Sequence, residues 1–417
     1  MIYPTAPSGP AFSFQLAQGS TKLVIFFSGT GPKDGTFNFW KLGNKLDAHR
    51  LFVNDGRNHW YQSGVPGLGD NIDETLSNIR LWVRKLGVKE IYAIGQSMGA
   101  HGAILYGARL GARVLAFGAE TILNLEASNS ARLLGKDVSI VYPDLHDLIA
   151  NARRPIFGFA GEREPIDLYC MSKADGLPNY YPRTIADIGH DMARRLHSRK
   201  RLEPFMNRLL ANQRPMRTHQ DGTALDRPGF ADALYDLHRH ITAARYGEAV
   251  EAGRAALALH DQADHAFYLT AEALIALRSP GQARPLLECA LAIAPDHIDY
   301  RFRMADCLAQ LGDRDRAMAM HREIIAIQPD FAESFHKLGQ LHLARGDYLQ
   351  ALEASSRAAE LQPNVTRFAH LRGRIEQRLA GPTWRDPSRL LRRFSRPVAT
   401  VSGRLYRSLV NAVARRR

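Results

Sequence analysis

Cysteine is scarce in this chain, with only Cys170, Cys289 and Cys307 among 417 residues. They stand at no metal-ligand spacing and cannot all pair, so neither a disulfide scaffold nor a cysteine-built metal site is expected, and a reducing compartment is. No uninterrupted apolar run reaches the ~18 to 20 residues that a membrane span needs. The first twenty residues, MIYPTAPSGPAFSFQLAQGS, lack a basic start followed by an apolar core, so no secretory signal is read there. Acidic residues are outnumbered, 42 against 55 Lys and Arg, which leaves a net charge of +13. Hydrophobic content of 45% and charged content of 23% are those of ordinary globular protein, and the length suits two or three domains. The expected location is cytoplasmic, with peripheral contact at the inner membrane surface depending on where the positive charge sits.

The first half reads as strands alternating with helices. After an edge strand near Phe12 to Leu16, Lys22 to Ser28 (KLVIFFS) is a continuous apolar run ending in Ser28-Gly29-Thr30-Gly31, as in a strand buried on both faces of a parallel sheet. Leu51 to Asn54 follows, and then an amphipathic helix over about Ile72 to Leu86 with Ile72, Leu76, Ile79, Val83 and Leu86 on one face. Further strands are expected at Arg113 to Gly118, Pro155 to Gly161 and Arg183 to Gly189, with a mixed, partly helical stretch from Ile122 to Arg154 and a last helix at Leu202 to Leu210. Such alternation implies right-handed crossovers and a mainly parallel sheet with helices on both faces, whose working residues lie at the carboxyl ends of strands.

The stretch with the sharpest chemistry is Ile91 to Ala100, IYAIGQSMGA. A β-type run meets Gly95-Gln96-Ser97-Met98-Gly99, and small, helix-compatible residues follow: a G-x-S-x-G serine on a strand, sharp turn and helix. The glycines are required because a Cβ at Gly95 or Gly99 would collide with the neighbouring strand or helix while Ser97 is held in a strained backbone. The helix that begins there offers its amides and positive dipole end, and the Met98 amide is placed to bind an oxyanion. A second donor is expected from Gly29 or Thr30, in a turn that permits close backbone approach. The base expected for Ser97 is His190, after the last strand in Ile188-Gly189-His190-Asp191, where a plain surface histidine is the competing reading. The orienting acid is sought in Gly161-Glu162-Arg163-Glu164-Pro165-Ile166-Asp167: Glu164 first, Asp167 next, with Asp175 further on. Phe37, Phe39 and Trp40, and likewise His59-Trp60-Tyr61, fit either a substrate subsite or plain core, and His101 fits a structural role.

These residues resemble the α/β-hydrolase superfamily of serine esterases and lipases over roughly residues 10 to 212. The resemblance implies a Ser-acid-His triad, an acyl-enzyme and no cofactor. Reduced amino-terminal strands and the lack of a long lid insertion depart from the pattern, the second weakening a true-lipase reading.

Beyond a linker at 213–230, the chain is helical and periodic. Pro295, Pro329 and Pro363 stand 34 residues apart, closing the phrases ALAIAPD, IIAIQPD and AAELQPN. Leu311-Gly312-Asp313 and Arg345-Gly346-Asp347-Tyr348 mark turns, each followed by a small residue, Ala317 or Ala351. A helix-turn-helix period of this length resembles the tetratricopeptide repeat, a solenoid in which stacked helix pairs share a core that one pair cannot form alone. The repeat region is assigned to 231–380, regular over about 265–366 and degenerate before it. The last segment, 381–417, carries ten arginines from Arg385 onward against Asp386 alone, with a helical apolar stripe, and reads either as a capping helix with a basic tail or as an amphipathic segment for an anionic membrane or acidic partner. Nucleic acid is not expected, because no base-reading module is visible.

The expectation is an α/β domain followed by an all-α one: a serine hydrolase for an ester or thioester, with no cofactor and no metal, whose repeats recruit a protein partner or a bulky substrate such as an acylated surface glycan. An inactive hydrolase-fold interaction scaffold and an acyltransferase using the same triad are the other readings.

Overall fold

A computed structural model describes residues 8–217 and 221–380. The basic segment 381–417, and the membrane contact expected of it, lie outside the described residues. One sheet organises the first half, from β1 (Ser8–Gly9), β2 (Phe12–Gln15), β3 (Lys22–Phe27) and β4 (His49–Val53) to β5 (Glu90–Gln96), β6 (Arg113–Phe117), β7 (Ile156–Gly161) and β8 (Tyr180–Ile185). Their spatial order is β1-β2-β4-β3-β5-β6-β7-β8. The β1-β2 and β2-β4 pairings are antiparallel, and every pairing from β4 through β8 is parallel. The helices between them are α1 (Trp40–Gly43), α2 (Ile72–Lys85), α3 (Met98–Leu110), α4 (Asn129–Leu133), α5 (His146–Ala150), α6 (Pro165–Ala174), α7 (Met192–Ser198) and α8 (Leu202–Leu210).

The double-sided burial of the sheet explains why its strands are apolar without alternation. Along β3, Leu23, Ile25 and Phe27 join one core with Leu76 and Ile79 of α2 and Ile104 of α3, while Val24 and Phe26 join another with Phe205 and Leu209 of α8. Helix α2 starts where the Asn71 side chain accepts from the Glu74 amide, with Asp73 and Glu74 in its first turn and Arg84 and Lys85 in its last. Helix α3 is buried from Met98 through Gly107, and its glycines let it lie close: a Cβ at Gly102 would meet the Tyr61 ring and one at Gly107 the Val114 side chain.

The last strand differs from expectation. It runs Tyr180–Ile185 instead of Arg183 to Gly189, so residues 186–189 belong to the loop that carries His190. Pro182 obscured it in sequence, because proline argues against a strand. At the sheet edge it faces Gly158 and is tolerated. That edge is covered in part: Ile185 bridges Asp221, Gly222 N–H donates to Thr184 O at 2.8 Å, and Glu162 Oε1 accepts from Ala224 N at 2.7 Å. The stretch expected as a linker is thus fastened to the carboxyl end of β8 at Thr184 and Ile185, which shortens the open edge.

Among the described residues, nine helices follow: α9 (Phe230–Thr242), α10 (Tyr246–Leu259), α11 (Asp264–Ala276), α12 (Pro280–Ile293), α13 (Ile298–Gln310), α14 (Arg314–Ile327), α15 (Ala332–Arg345), α16 (Tyr348–Leu361) and α17 (Thr366–Ala380). The starts Phe230, Asp264, Ile298, Ala332 and Thr366 are 34 residues apart, as are Tyr246, Pro280, Arg314 and Tyr348, so the degenerate first pair keeps the frame of the regular ones. Ala249, Ala283, Ala317 and Ala351 recur at that interval and are fully buried. The described residues up to Tyr300 form one compact unit and those from Arg301 a second, so α9 to α12 fall in the same unit as the sheet.

Gly253 in α10 occupies a repeat position filled elsewhere by Leu287, His321 and Ser355. A Cβ there would overlap the Thr270 hydroxyl and lie 2.9 Å from its methyl. Alanine would gain ~1 kcal/mol in helix propensity, but forcing the crowded contact costs about 1 to 3 kcal/mol. We therefore expect Gly253→Ala to lower the melting temperature by a few degrees in scanning calorimetry; an unchanged or higher value would contradict the close α10-α11 approach.

Candidate active site

Ser97 closes β5 and caps α3 with φ 58° and ψ −129°, a conformation that costs a non-glycine residue about 1 to 3 kcal/mol. What maintains it is the lack of room for anything else. A Cβ on Gly95 would overlap the Gly99 carbonyl, and a Cβ on Gly99 would overlap that of Phe27. The Ser97 amide donates to Phe117 O at 2.8 Å, tying the turn to β6.

His190 and Asp167 meet this serine from two other strand ends. His190 Nε2 is 2.8 Å from Ser97 Oγ, and Nδ1 is 2.8 Å from Asp167 Oδ2. Because an ionised carboxylate only accepts, the ring donates from Nδ1, and in its neutral form Nε2 accepts from the serine hydroxyl. Asp167 lies in the first turn of α6 and is 2% exposed. Of the three acids considered, it is the one in contact with the ring. Glu164, three residues earlier, is the amino-terminal cap of α6 and does not bond to His190, although it stands close enough to act on it electrostatically. Asp167 is the third residue of α6, whereas Glu164 precedes the helix in an extended backbone conformation. Asp175 ends α6 and accepts from the Gly176 amide.

The electrostatics follow from three carboxylates near one imidazole. The Asp167 charge, with lesser contributions from Glu164 and Glu120, raises His190 to about 10 against the opposing effect of burial. Burial, reinforced by Asp167, lifts Glu164 well above the usual carboxylate range. Glu120 is raised by burial too, while accepting from the amides of Asn129 and Ser130. His101 is driven the other way, to about 4, because it is fully buried; its Nδ1 donates to Glu120 O and its Nε2 accepts from Gln62. It is a neutral structural histidine.

Of the oxyanion candidates, the amides of Met98 and Thr30 have no acceptor among the described residues. The Gly29 amide is occupied, donating to Asn38 Oδ1 at 2.7 Å, while the Asn38 amide donates to Ser28 Oγ at 3.1 Å. That reciprocal pair fixes the turn after β3 and leaves Thr30 as its free donor. Phe37 and Trp40 pack against Phe52, and Phe39 against Phe26, on the core side. Trp60 and Tyr61 are fully buried, and Asp55 organises their loop by accepting from Arg57, Asn58 and Tyr61 amides. A cavity of about 540 Å³ lined by Arg80, Arg109 and Arg153 lies by the amino-terminal end of β6, the end of the sheet opposite Ser97, and takes no part here. Among the described residues, no group of three His, Cys, Asp or Glu is arranged to hold a metal ion.

The sequence reading missed two supports. Gln96 donates to His190 O at 3.3 Å and accepts from Ala193 N at 3.1 Å, fastening the histidine loop to the serine turn. Gly118, at φ +62°, leaves space where a Cβ would stand 2.7 Å from Asp167 Oδ2. Its signal was available: a glycine directly after an apolar strand, as at Gly29.

The helical half can be compared with known proteins. Models of the tetratricopeptide repeat match residues 274–339 and 332–365. The carboxy-terminal helices are tetratricopeptide repeats. Similar solved structures include YrrB, described as a TPR protein with an unusual peptide-binding site, at 23% identity, 43% of this chain, 88% of that one and a TM-score of 0.33. MamA from Desulfovibrio magneticus RS-1 is similar at 17% identity over 36% of this chain and 85% of its own, with a TM-score of 0.34. TTC0263, a thermophilic TPR protein of Thermus thermophilus, is similar at 20% identity over 46% and 96%, with a TM-score of 0.32. No curated protein matches the chain. Stacked repeats of this kind build extended concave surfaces, which supports a protein-interaction role. Among the described residues, no helix is long and apolar enough to cross a membrane.

Substituting Gly118 by alanine adds a methyl against the carboxylate and forces a left-handed backbone on a residue that resists it. We expect Gly118→Ala to bring the ring pKa of His190 down toward an ordinary imidazole, followed by NMR titration of its ring carbon. A titration superimposable on wild type would show that Asp167 keeps its contact.

Proposed function

We propose that this chain is a serine hydrolase of the α/β-hydrolase type, cleaving an ester or thioester and engaging a protein partner through its tetratricopeptide repeats. The observation that carries the reading is the unbroken relay from Ser97 Oγ to His190 to Asp167, with both contacts at 2.8 Å. The chain order Ser, Asp, His and the origin of all three residues at carboxyl ends of strands in a mainly parallel sheet support it.

In this reading Ser97 Oγ attacks the substrate carbonyl carbon while His190 Nε2 takes the hydroxyl proton. The tetrahedral intermediate carries its negative charge on the former carbonyl oxygen, which the Met98 and Thr30 amides and the amino-terminal end of α3 stabilise. Collapse breaks the carbon–oxygen or carbon–sulfur bond, and His190 returns the proton to the leaving group. Water then attacks the acyl-enzyme with the same proton relay and frees Ser97. Asp167 holds the ring and stabilises its cation, and Glu164, where it is ionised in alkaline solution, adds negative potential without touching the reacting atoms.

An activated serine of this kind reacts with a fluorophosphonate probe. Wild type is expected to label, and Ser97→Ala and His190→Ala to abolish labelling; wild type labelling no more than Ser97→Ala would sink the enzyme reading and favour a scaffold whose repeats alone act. Asp167→Asn is expected to lower kcat on p-nitrophenyl esters by about 10⁴.

The pH dependence has a definite sign. A raised His190 pKa keeps the ring protonated at neutral pH, so the free base, and with it kcat/KM, increases from neutral into alkaline solution. Glu164→Gln removes a charge that stabilises the ring cation, and the ascending limb should shift toward lower pH; a shift to higher pH would reverse the assigned role.

A further inference from the structure

Arg163 lies between the triad and the repeats. Its amide donates to Ile188 O at 3.2 Å, and its Nη1 donates to Asp187 O at 3.0 Å, both on the loop that ends in His190. Its Nε and Nη2 donate to Asp264 Oδ2 at 2.9 and 2.5 Å. The Tyr300 ring lies 5.7 Å from its guanidinium, stacked in turn on His297. The two side chains are 13% and 8% exposed, so the pair is shielded from water. In sequence Arg163 stands one residue before Glu164 and four before Asp167, and Asp187 stands three before His190. Asp264 is the first residue of α11, the opening helix of the first regular repeat.

We propose that Asp264 of the repeat region is a positioning residue for the active site, acting through Arg163 to hold the acid-bearing and histidine-bearing loops in register. The proposal rests on the hydrolase reading above and extends it: the repeats then complete the site as well as binding a partner. One planar guanidinium bonds the histidine loop with one nitrogen and the repeat carboxylate with two others, so the loop inherits the rigidity of α11. Without the carboxylate, a shielded guanidinium has lost its counter-charge and is driven toward water. Asp187 O then loses its donor, and the loop ending in His190 gains freedom. Displacements of about 1 Å at such a relay cost on the order of 10²-fold in rate.

The test uses the full chain. Asp264→Asn is expected to lower kcat on a p-nitrophenyl ester 10- to 100-fold with KM within about twofold, and to alter the His190 ring titration; Asp264→Glu should restore part of the rate. Glu126→Gln is the control, since Glu126 pairs with Arg239 and Arg245 of the repeat helices in the same unit and touches neither loop. It should melt lower at unchanged kcat. Folded Asp264→Asn with wild-type kcat and ring titration would overturn the proposal, and so would an equal loss of rate in Glu126→Gln, because any loosening of the helices would then suffice. If Asp264→Asn does not fold, Arg163→Lys keeps the charge and removes the fork; it is expected to slow turnover at least tenfold, and wild-type kinetics in it would count against the assignment. Should wild type fail to label with the fluorophosphonate probe, the enzyme reading falls by itself, and the His190 titration in Asp264→Asn still decides whether α11 positions the loop.

Discussion

The approach of helix α3 to strands β3 and β5 at Gly95 and Gly99 is the constraint on which the rest depends. Two backbones pass so closely that neither glycine can carry a Cβ, and Ser97 between them is forced to a positive φ. The strain is local, and it is sustained by the burial of nearly all of α3 between sheet and neighbours. From that fixed point the serine hydroxyl projects to where β7 and β8 deliver their loops. Without the close packing, the same residues would form an ordinary strand-to-helix turn, and the hydroxyl would have no defined relation to His190.

The three carboxylates around His190 show how environment divides roles among like groups. Asp167 makes the contact, is buried, and its charge supplies the largest part of the lift on the ring. Glu164, a turn earlier on the same helix, is desolvated without a hydrogen bond to the ring, so burial favours its neutral form. Glu120 is satisfied by two backbone amides and fixes His101 through its own carbonyl. A single helix start therefore presents one carboxylate to the His190 ring and holds another beside it, and both raise the proton affinity of that ring.

The first repeat helix is packed on the element that carries Asp167. The Tyr169 ring of α6 lies 4.4 Å from that of Tyr235 of α9, tilted by 32°, and Lys173 pairs with Asp232. With Arg163 bonded to Asp264, both ends of the acid segment meet residues from the helical half of the chain. Asp221, Gly222 and Ala224, shortly before α9, are fastened to Ile185, Thr184 and Glu162 at the carboxyl end of the sheet.

Much was legible in the chain itself. The apolar runs and the G-x-S-x-G turn follow from local chemistry, and the 34-residue period follows from the need of each helix pair for a neighbour. These are properties of residues near one another in sequence, where backbone sterics and periodic burial leave few options. The edge position that admits Pro182, the commitment of the Gly29 amide to Asn38, the preference for Asp167 over Glu164 and the bond from Arg163 to Asp264 were decided only by the tertiary structure. In each of them the deciding partner lies on another element, and which of several equivalent groups makes the contact is set by sub-ångström packing that no local pattern encodes.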